Sequence, residues 1–368
     1  MENTIKVLIV DDSAFIRQII RDILSRDPIF EVVDYARNGK DAIEKVQRHR
    51  PDVVTMDVEM PILNGIEALE IIMEKHPAPV VMFSSLTAQG TEATMKALEY
   101  GAVDVAKKPS HQDLKDLSEL SQEIIQKLKT AAGVKNIQKP QRVQSEKDLK
   151  IIRKSLVDIS QSPKEKGFLD PRSETPRIVA IGTSTGGPRA LQRVIPLIPK
   201  NTKASFVIVQ HMPPGFTKSL AERLNTLSEI TVKEAVQGEV LQPGHGYIAK
   251  GGAHLRLKKN SRGQLFLDLG EDPPIAGHRP SVNALFQSLR QENIQDVISV
   301  IMTGMGSDGA KGIQELKKAT KNHVIAQNEE SSVVYGMPKT VVEQGDADEV
   351  ADLDEITKKV LKHLEVQK

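Results

Sequence analysis

The chain has 368 residues, 39% apolar and 27% charged, with a net charge of +1 and no cysteine. Domains cluster near ~100 to 200 residues, so this length predicts two of them. No apolar run approaches the roughly 18 residues of a membrane span, nothing resembles a signal peptide, and no segment concentrates Lys and Arg as a nucleic-acid face would; membrane insertion and nucleic-acid binding are therefore not expected, and the cytoplasm is the default compartment.

In the first third, short β-branched runs at residues 6–10, 31–36, 52–57, 80–85 and 104–107 alternate with segments of helical period, such as Phe15, Ile16, Ile19, Ile20, Ile23 and Leu24. Five βα repeats imply a parallel sheet with helices on both faces and ligands at the carboxyl ends of its strands. The first domain is placed at residues 1–125. Gln, Lys, Ser, Pro and Glu then dominate, which reads as a linker over 126–175. Within it Leu149, Ile152, Leu156 and Ile159 have the spacing of one amphipathic helix.

Strand-like runs resume at 178–182, 205–210, 231–235, 246–249, 255–257, 265–269, 297–303 and 324–327, separated by helical segments at 188–195, 218–226, 282–291, 309–318 and 354–364. The second domain, 176–368, is thus again α/β. Short runs between residues 240 and 269, with Gly251-Gly252 and Arg262-Gly263 as turns, predict antiparallel hairpins added to it. The expected fold class is α/β with two doubly wound domains: one flavodoxin-like, one Rossmann-like and mostly parallel, with an added antiparallel hairpin.

Three carboxylates stand at strand ends in the first domain: Asp11 and Asp12 after residues 6–10, and Asp57 after 53–56. Clustered acids repel unless a cation shares the site, and the hard oxygens of Asp11, Asp12, Asp57 and Glu59 suit Mg²⁺. Asp57 would be the nucleophile that accepts a phosphoryl group. Lys108, beside Pro109, would neutralise the transferred oxygens, and Ser84 would hydrogen-bond one of them. A plainer reading makes Asp12 or Ser13 a helix cap. In order and spacing, Asp11-Asp12, Asp57 in Met-Asp-Val-Glu-Met-Pro, Ser84 and Lys108-Pro109 resemble a response-regulator receiver domain.

In the second domain an apolar run ends in Gly182-Thr183-Ser184-Thr185-Gly186-Gly187-Pro188. This G-x-S-x-G on a strand, turn and helix exposes a serine hydroxyl on a tight elbow and makes Ser184 the candidate nucleophile. The same glycines could form a dinucleotide-binding turn, but that reading expects an acid after the next strand, where His211 stands instead. His211 is the candidate base. Asp308, in the glycine-rich turn after 297–303, is the candidate orienting acid, with a simple helix cap before Gly309 as its alternative. His278 is the alternative base, while His245 and His254 read as surface or turn residues. No two histidines have H-x-x-x-H spacing, so no zinc site is expected.

The combination Gly-x-Ser-Thr-Gly-Gly, Gln-His-Met-Pro-Pro and Thr-Gly-Met-Gly-x-Asp-Gly resembles the catalytic domain of the chemotaxis protein-glutamate methylesterases, with Thr183 replacing the alanine expected before the serine. The resemblance implies a Ser184-His211-Asp308 triad, the backbone N–H of Met305 as an oxyanion donor, and Thr185 assisting. It further implies a hydrolase, with no cofactor of its own, that acts on glutamate methyl esters of chemoreceptor cytoplasmic domains and on receptor glutamines. Phosphorylation by a chemotaxis histidine kinase would activate it, through relief of receiver cover over the Ser184 cleft. A DNA-binding response regulator, with a compact basic helical output, fits the second domain poorly.

Overall fold

The computed structural model describes residues 4–85, 87–110, 117–134 and 177–366, so the helix expected at 148–159 lies outside the described residues. The chain divides into two units, Met1–Val143 and Gln144–Lys368.

In the first unit, strands β1 (Ile5–Val10), β2 (Phe30–Ala36), β3 (Val53–Asp57), β4 (Val80–Ser84) and β5 (Asp104–Lys107) form a sheet of order β2-β1-β3-β4-β5. All pairs are parallel. Every residue of β3 and β4 is buried, because helices cover both faces; this is why these runs are continuously apolar rather than alternating. Helix α1 (Ala14–Leu24) buries Ile16, Ile19, Ile20, Ile23 and Leu24, the stripe expected from its spacing. Strand order reverses between β1 and β3, which opens a crevice at their carboxyl ends. Helix α2 (Gly39–His49) is followed by α3 (Gly65–Lys75), which starts from a capping box of Asn64 and Glu67. Gly65 lies so close to the end of β3 that a Cβ there would stand 1.9 Å from the Asp57 carbonyl oxygen. Helices α4 (Ala88–Glu99) and α5 (Leu117–Ala132) complete the unit. Helix α5 runs past residue 125 because its buried stripe, Ile124, Leu128 and Ala131, continues there.

The second unit is built on seven strands: β6 (Arg177–Thr183), β7 (Ala204–Gln210), β8 (Thr231–Glu234), β9 (His245–Ile248), β12 (Val297–Ile301), β13 (Asn322–Gln327) and β14 (Glu349–Ala351). Their order is β14-β13-β12-β6-β7-β9-β8, again with parallel pairs throughout. The helices are α6 (Gly187–Val194), α7 (Phe216–Leu227), α8 (Val282–Gln291), α9 (Ala310–Ala319), α10 (Met337–Glu343) and α11 (Leu353–Val366). Of the hairpins expected between residues 240 and 269, one forms, β10 (His254–Lys259) with β11 (Leu265–Gly270) across the Arg262-Gly263 turn. Gly251-Gly252 does not close another, since β9 pairs in parallel with β7 and β8 inside the main sheet.

Close approach of α8 to the sheet depends on two glycines. A Cβ on Gly182 would lie 2.5 Å from Val282 Cγ1, and one on Gly309 2.8 Å from the same atom. Val282 is fully buried at the first position of α8. The missing side chains therefore let the start of this helix settle against the carboxyl ends of β6 and β12.

Candidate functional site

In the first unit the β1–β3 crevice holds Asp11, Asp12 and Asp57, whose ligand atoms lie within 4.8 Å of one another. Lys108 Nζ stands 2.6 Å from Asp57 Oδ2 and 3.0 Å from Asp11 Oδ2, which singles it out from the adjacent Lys107. Burial pushes the Asp57 carboxyl up to about 6; the bond from Lys108 opposes this and the charge of Asp11 adds to it. Burial likewise raises Asp11.

Three carboxylates facing one lysine leave negative charge uncompensated: the buried Asp11 Oδ2 and Asp57 Oδ2 share the same Nζ of Lys108. That donor set fits a hard divalent cation. Glu59, expected as a fourth ligand, is exposed and outside the cluster; it contributes a backbone hydrogen bond to Asp57 instead. It lies beyond the end of β3, where side chains no longer follow the strand toward the crevice. Ser84 is buried, and its hydroxyl donates to the Gly90 carbonyl at 3.0 Å, which ties the end of β4 to α4.

In the second unit Ser184, His211 and Asp308 follow β6, β7 and β12, three adjacent strands. Thr183 and Gln210 are register partners, and the N–H of His211 bonds the Thr183 carbonyl at 3.2 Å, so serine and histidine emerge side by side. The serine turn is held from the other flank as well. Ser184 N–H donates to the Thr303 carbonyl at 3.0 Å, and Thr303 Oγ1 donates to the Thr185 carbonyl at 2.9 Å. Thr183, the departure noted above, donates to Gln210 Oε1 at 2.6 Å, and Gln210 Nε2 donates to the Ser184 carbonyl at 2.9 Å. Its hydroxyl braces the turn from below.

His211 Nε2 meets Asp308 Oδ2 at 2.8 Å, while its buried Nδ1 has no hydrogen-bond partner. Asp308 also accepts from Ser281 Oγ at 2.9 Å, from Val282 N–H at 2.7 Å and from Asn283 N–H at 3.0 Å. Burial would raise this carboxyl, but the bond and charge of His211, with the N–H groups of Asn283 and Val282, bring it down to about 2. Asp308 does cap a helix. The capped helix is α8, not the α9 that follows Gly309, and the residue orients His211 at the same time.

Gly304 presses on the serine: a Cβ there would come 2.8 Å from Ser184 Cβ. Met305 is the next residue in this segment. His278 stacks on His211, ring centroids 3.9 Å apart and planes 7° from parallel. His254 corrects the surface reading, being fully buried. Its Nδ1 accepts the Ser281 N–H at 3.2 Å and its Nε2 meets the Pro273 carbonyl at 3.1 Å, which steadies the segment that cradles Asp308. The sequence carried only a faint sign of that cradle, Ser281 standing as N-cap before the apolar period of α8.

An acidic, lysine-paired crevice in a five-stranded receiver fold and a serine-histidine-aspartate arrangement on a parallel sheet define a response regulator whose output is a hydrolase of ester bonds. Residues 179–360 match the family described as CheB methylesterase, and residues 7–119 match the response regulator receiver domain. A protein-glutamate methylesterase/protein-glutamine glutaminase of Geobacillus kaustophilus is 48% identical over 355 residues, covering 96% of this chain and 97% of the relative. One of the same name from Pyrococcus horikoshii is 44% identical, covering 100% and 95%. The crystal structure of the Thermotoga maritima CheB methylesterase catalytic domain is 47% identical, with TM-score 0.50, covering 51% of this chain and 99% of that one. The chain belongs to the CheB methylesterase family, with a receiver domain preceding the catalytic one. Among the described residues no helix is long and apolar enough to cross a membrane.

Proposed function

We propose that the chain hydrolyses γ-methyl esters of glutamate on chemoreceptor cytoplasmic domains, and deamidates receptor glutamines, under control of phosphorylation at Asp57. The observation that carries the chemistry is the His211–Asp308 bond at 2.8 Å, which leaves Nδ1 buried and unpartnered on the strand next to Ser184. Asp308 holds Nε2 protonated, so the Nδ1 lone pair takes the Ser184 proton as Oγ attacks the ester carbonyl. The backbone N–H of Met305 donates to the developing oxyanion, with Thr185 beside the serine. As the tetrahedral adduct collapses, Nδ1–H passes its proton to the departing methoxide, or to the amine nitrogen of a glutamine, and methanol or ammonia leaves. Water then attacks the acyl-serine with His211 again as base, releasing glutamate.

In the receiver, Asp57 attacks the phosphoryl group offered by a chemotaxis histidine kinase, Lys108 neutralises the transferred oxygens, and Ser84 turns from Gly90 to bond one of them. Mg²⁺ held by Asp11, Asp12 and Asp57 would supply the charge neutralisation that one lysine cannot. The division of labour is a receiver whose last helix carries it past residue 125 to Ala132, a linker from there to 175, and a catalytic domain over 176–368, acting in the cytoplasm. The names of the relatives support this substrate class.

The test is methanol release from methylated chemoreceptor membranes by the wild type and by Ser184→Ala, each with and without a phosphodonor and Mg²⁺. Release that requires Ser184 and rises with the phosphodonor is expected. A fully active Ser184→Ala overturns the nucleophile, and a wild type indifferent to the phosphodonor overturns the control.

A further inference from the structure

At the amino ends of the parallel strands, opposite the edge that carries Ser184, three side chains converge: His323 on β13, Glu349 at the start of β14, and His363 on α11. Their ligand atoms lie within 4.8 Å of one another. Both imidazoles present Nε2 to the same carboxylate oxygen, Glu349 Oε1, His323 at 3.1 Å. The rings stack with centroids 3.7 Å apart and planes 30° from parallel, so both Nε2 atoms lie on the same side of the cluster and the rings must splay to take one ion between them.

We propose that His323, Glu349 and His363 form a binding site for a divalent transition-metal ion, zinc by the chemistry of its donors. Two imidazole nitrogens and one carboxylate oxygen are a zinc donor set, and tetrahedral coordination at Zn–N and Zn–O distances of ~2.1 Å sets the donors about 3.4 Å apart. The His323–Glu349 separation, 3.1 Å, is already within a few tenths of an ångström of that, while the His363–Glu349 pair, at 2.5 Å, opens by about 0.9 Å on binding. The remaining groups act as supports. Lys359 Nζ pairs with the other carboxylate oxygen, Oε2, which leaves Oε1 as the ligand atom. Asp348 Oδ2 lies 4.0 Å from His323 Nδ1, on the side where a ligating imidazole needs its proton held.

Arg177 bonds the His363 and Leu364 carbonyls at 3.1 and 2.7 Å, fixing the end of α11 against β6. Side-chain exposures of 26%, 23% and 20% for His323, Glu349 and His363 leave a fourth position open to water or an exogenous ligand. On binding, each imidazole turns its Nε2 lone pair to the metal and carries its proton on Nδ1. The two histidines are 40 residues apart in sequence, beyond any local spacing rule, which is why the sequence predicts no such site.

The test is titration of the chelator-treated full chain with Zn²⁺ in excess Mg²⁺, followed by calorimetry and by thermal unfolding. One Zn²⁺ per chain is expected, with a rise in the melting temperature. His363→Gln, which keeps a donor to Glu349 but removes the imidazole, and His323→Gln each weaken binding by more than about tenfold, and the thermal rise disappears. His278→Gln, at the other histidine stack, leaves binding unchanged. A wild type that takes up no Zn²⁺, His363→Gln or His323→Gln variants that bind as the wild type does, or binding lost in His278→Gln instead, would each overturn the proposal.

Discussion

Asp57 and Asp308 occupy the same kind of place, a carboxyl end of a buried parallel strand, and burial pushes both upward. Yet one comes to about 6 and the other to about 2. The difference lies in what faces each carboxylate. Asp308 accepts from His211, the Ser281 hydroxyl and two N–H groups at the start of α8, so its charge is answered by hydrogen bonds that the fold itself supplies. Asp57 shares one lysine with Asp11 and stands beside another acid. A carboxylate completed by its own chain is a fixed part; one left short of positive charge is ready to bind a cation and to be chemically altered.

That contrast can be broken most severely at Asp308. Asp308→Asn should keep the fold but lower kcat for methanol release by about 10³- to 10⁴-fold, since the amide no longer fixes the tautomer of His211. Trimming the cradle should do less. Ser281→Ala removes one of four donors to Asp308 and is expected to lower kcat about tenfold in the same assay, consistent with ~1 to 3 kcal/mol for a buried charged group that loses a partner.

On the Asp57 side the expected sign is reversed. Its folded pKa, about 6, lies above the ordinary 3.8, so the folded state holds the proton more tightly, and stability contributed by this group is lost as pH rises from about 4 through 6. Asp57→Asn should therefore stabilise the metal-free first unit at pH 7 by on the order of 2 kcal/mol, read as a higher urea midpoint. Saturating Mg²⁺ should erase the gain by stabilising only the wild type. A variant no more stable than the wild type without metal would show that Lys108 already balances the crevice. The smallest effect belongs to Thr183→Ala: it removes one brace on Gln210 and should change kcat by less than about threefold.

Much of both crevices was legible because strand ends are legible. Ser184, His211 and Asp308 each follow an apolar run, and the parallel topology carries those run ends to one edge. The same holds for Asp11 and Asp57 in the first unit. What the sequence hid depends on pairing between distant segments. The cradle for Asp308 comes from the start of α8, and nothing near Asp308 announces it. Gly251-Gly252 has the look of a hairpin turn, but β9 finds better-buried partners in β7 and β8, and tertiary pairing overrides the local signal. The short β14, only three residues long, has too little pattern to stand out, yet it delivers Glu349. The Glu59 side chain stays outside the crevice for the opposite reason: proximity in sequence to Asp57 does not turn it toward the other carboxylates.

The anchoring of the serine turn also sets an order of assembly. Ser184 and Thr185 are fastened to Thr303, and the Thr303–Thr185 bond spans 118 residues. β6 cannot acquire its neighbour β12 until that stretch has left the ribosome, whereas each receiver strand pair closes within a short length of chain. Contacts of such long range form slowly, and during synthesis the N-terminal unit has the head start. The receiver unit should thus be complete on the nascent chain while the turn that carries Ser184 is still unanchored.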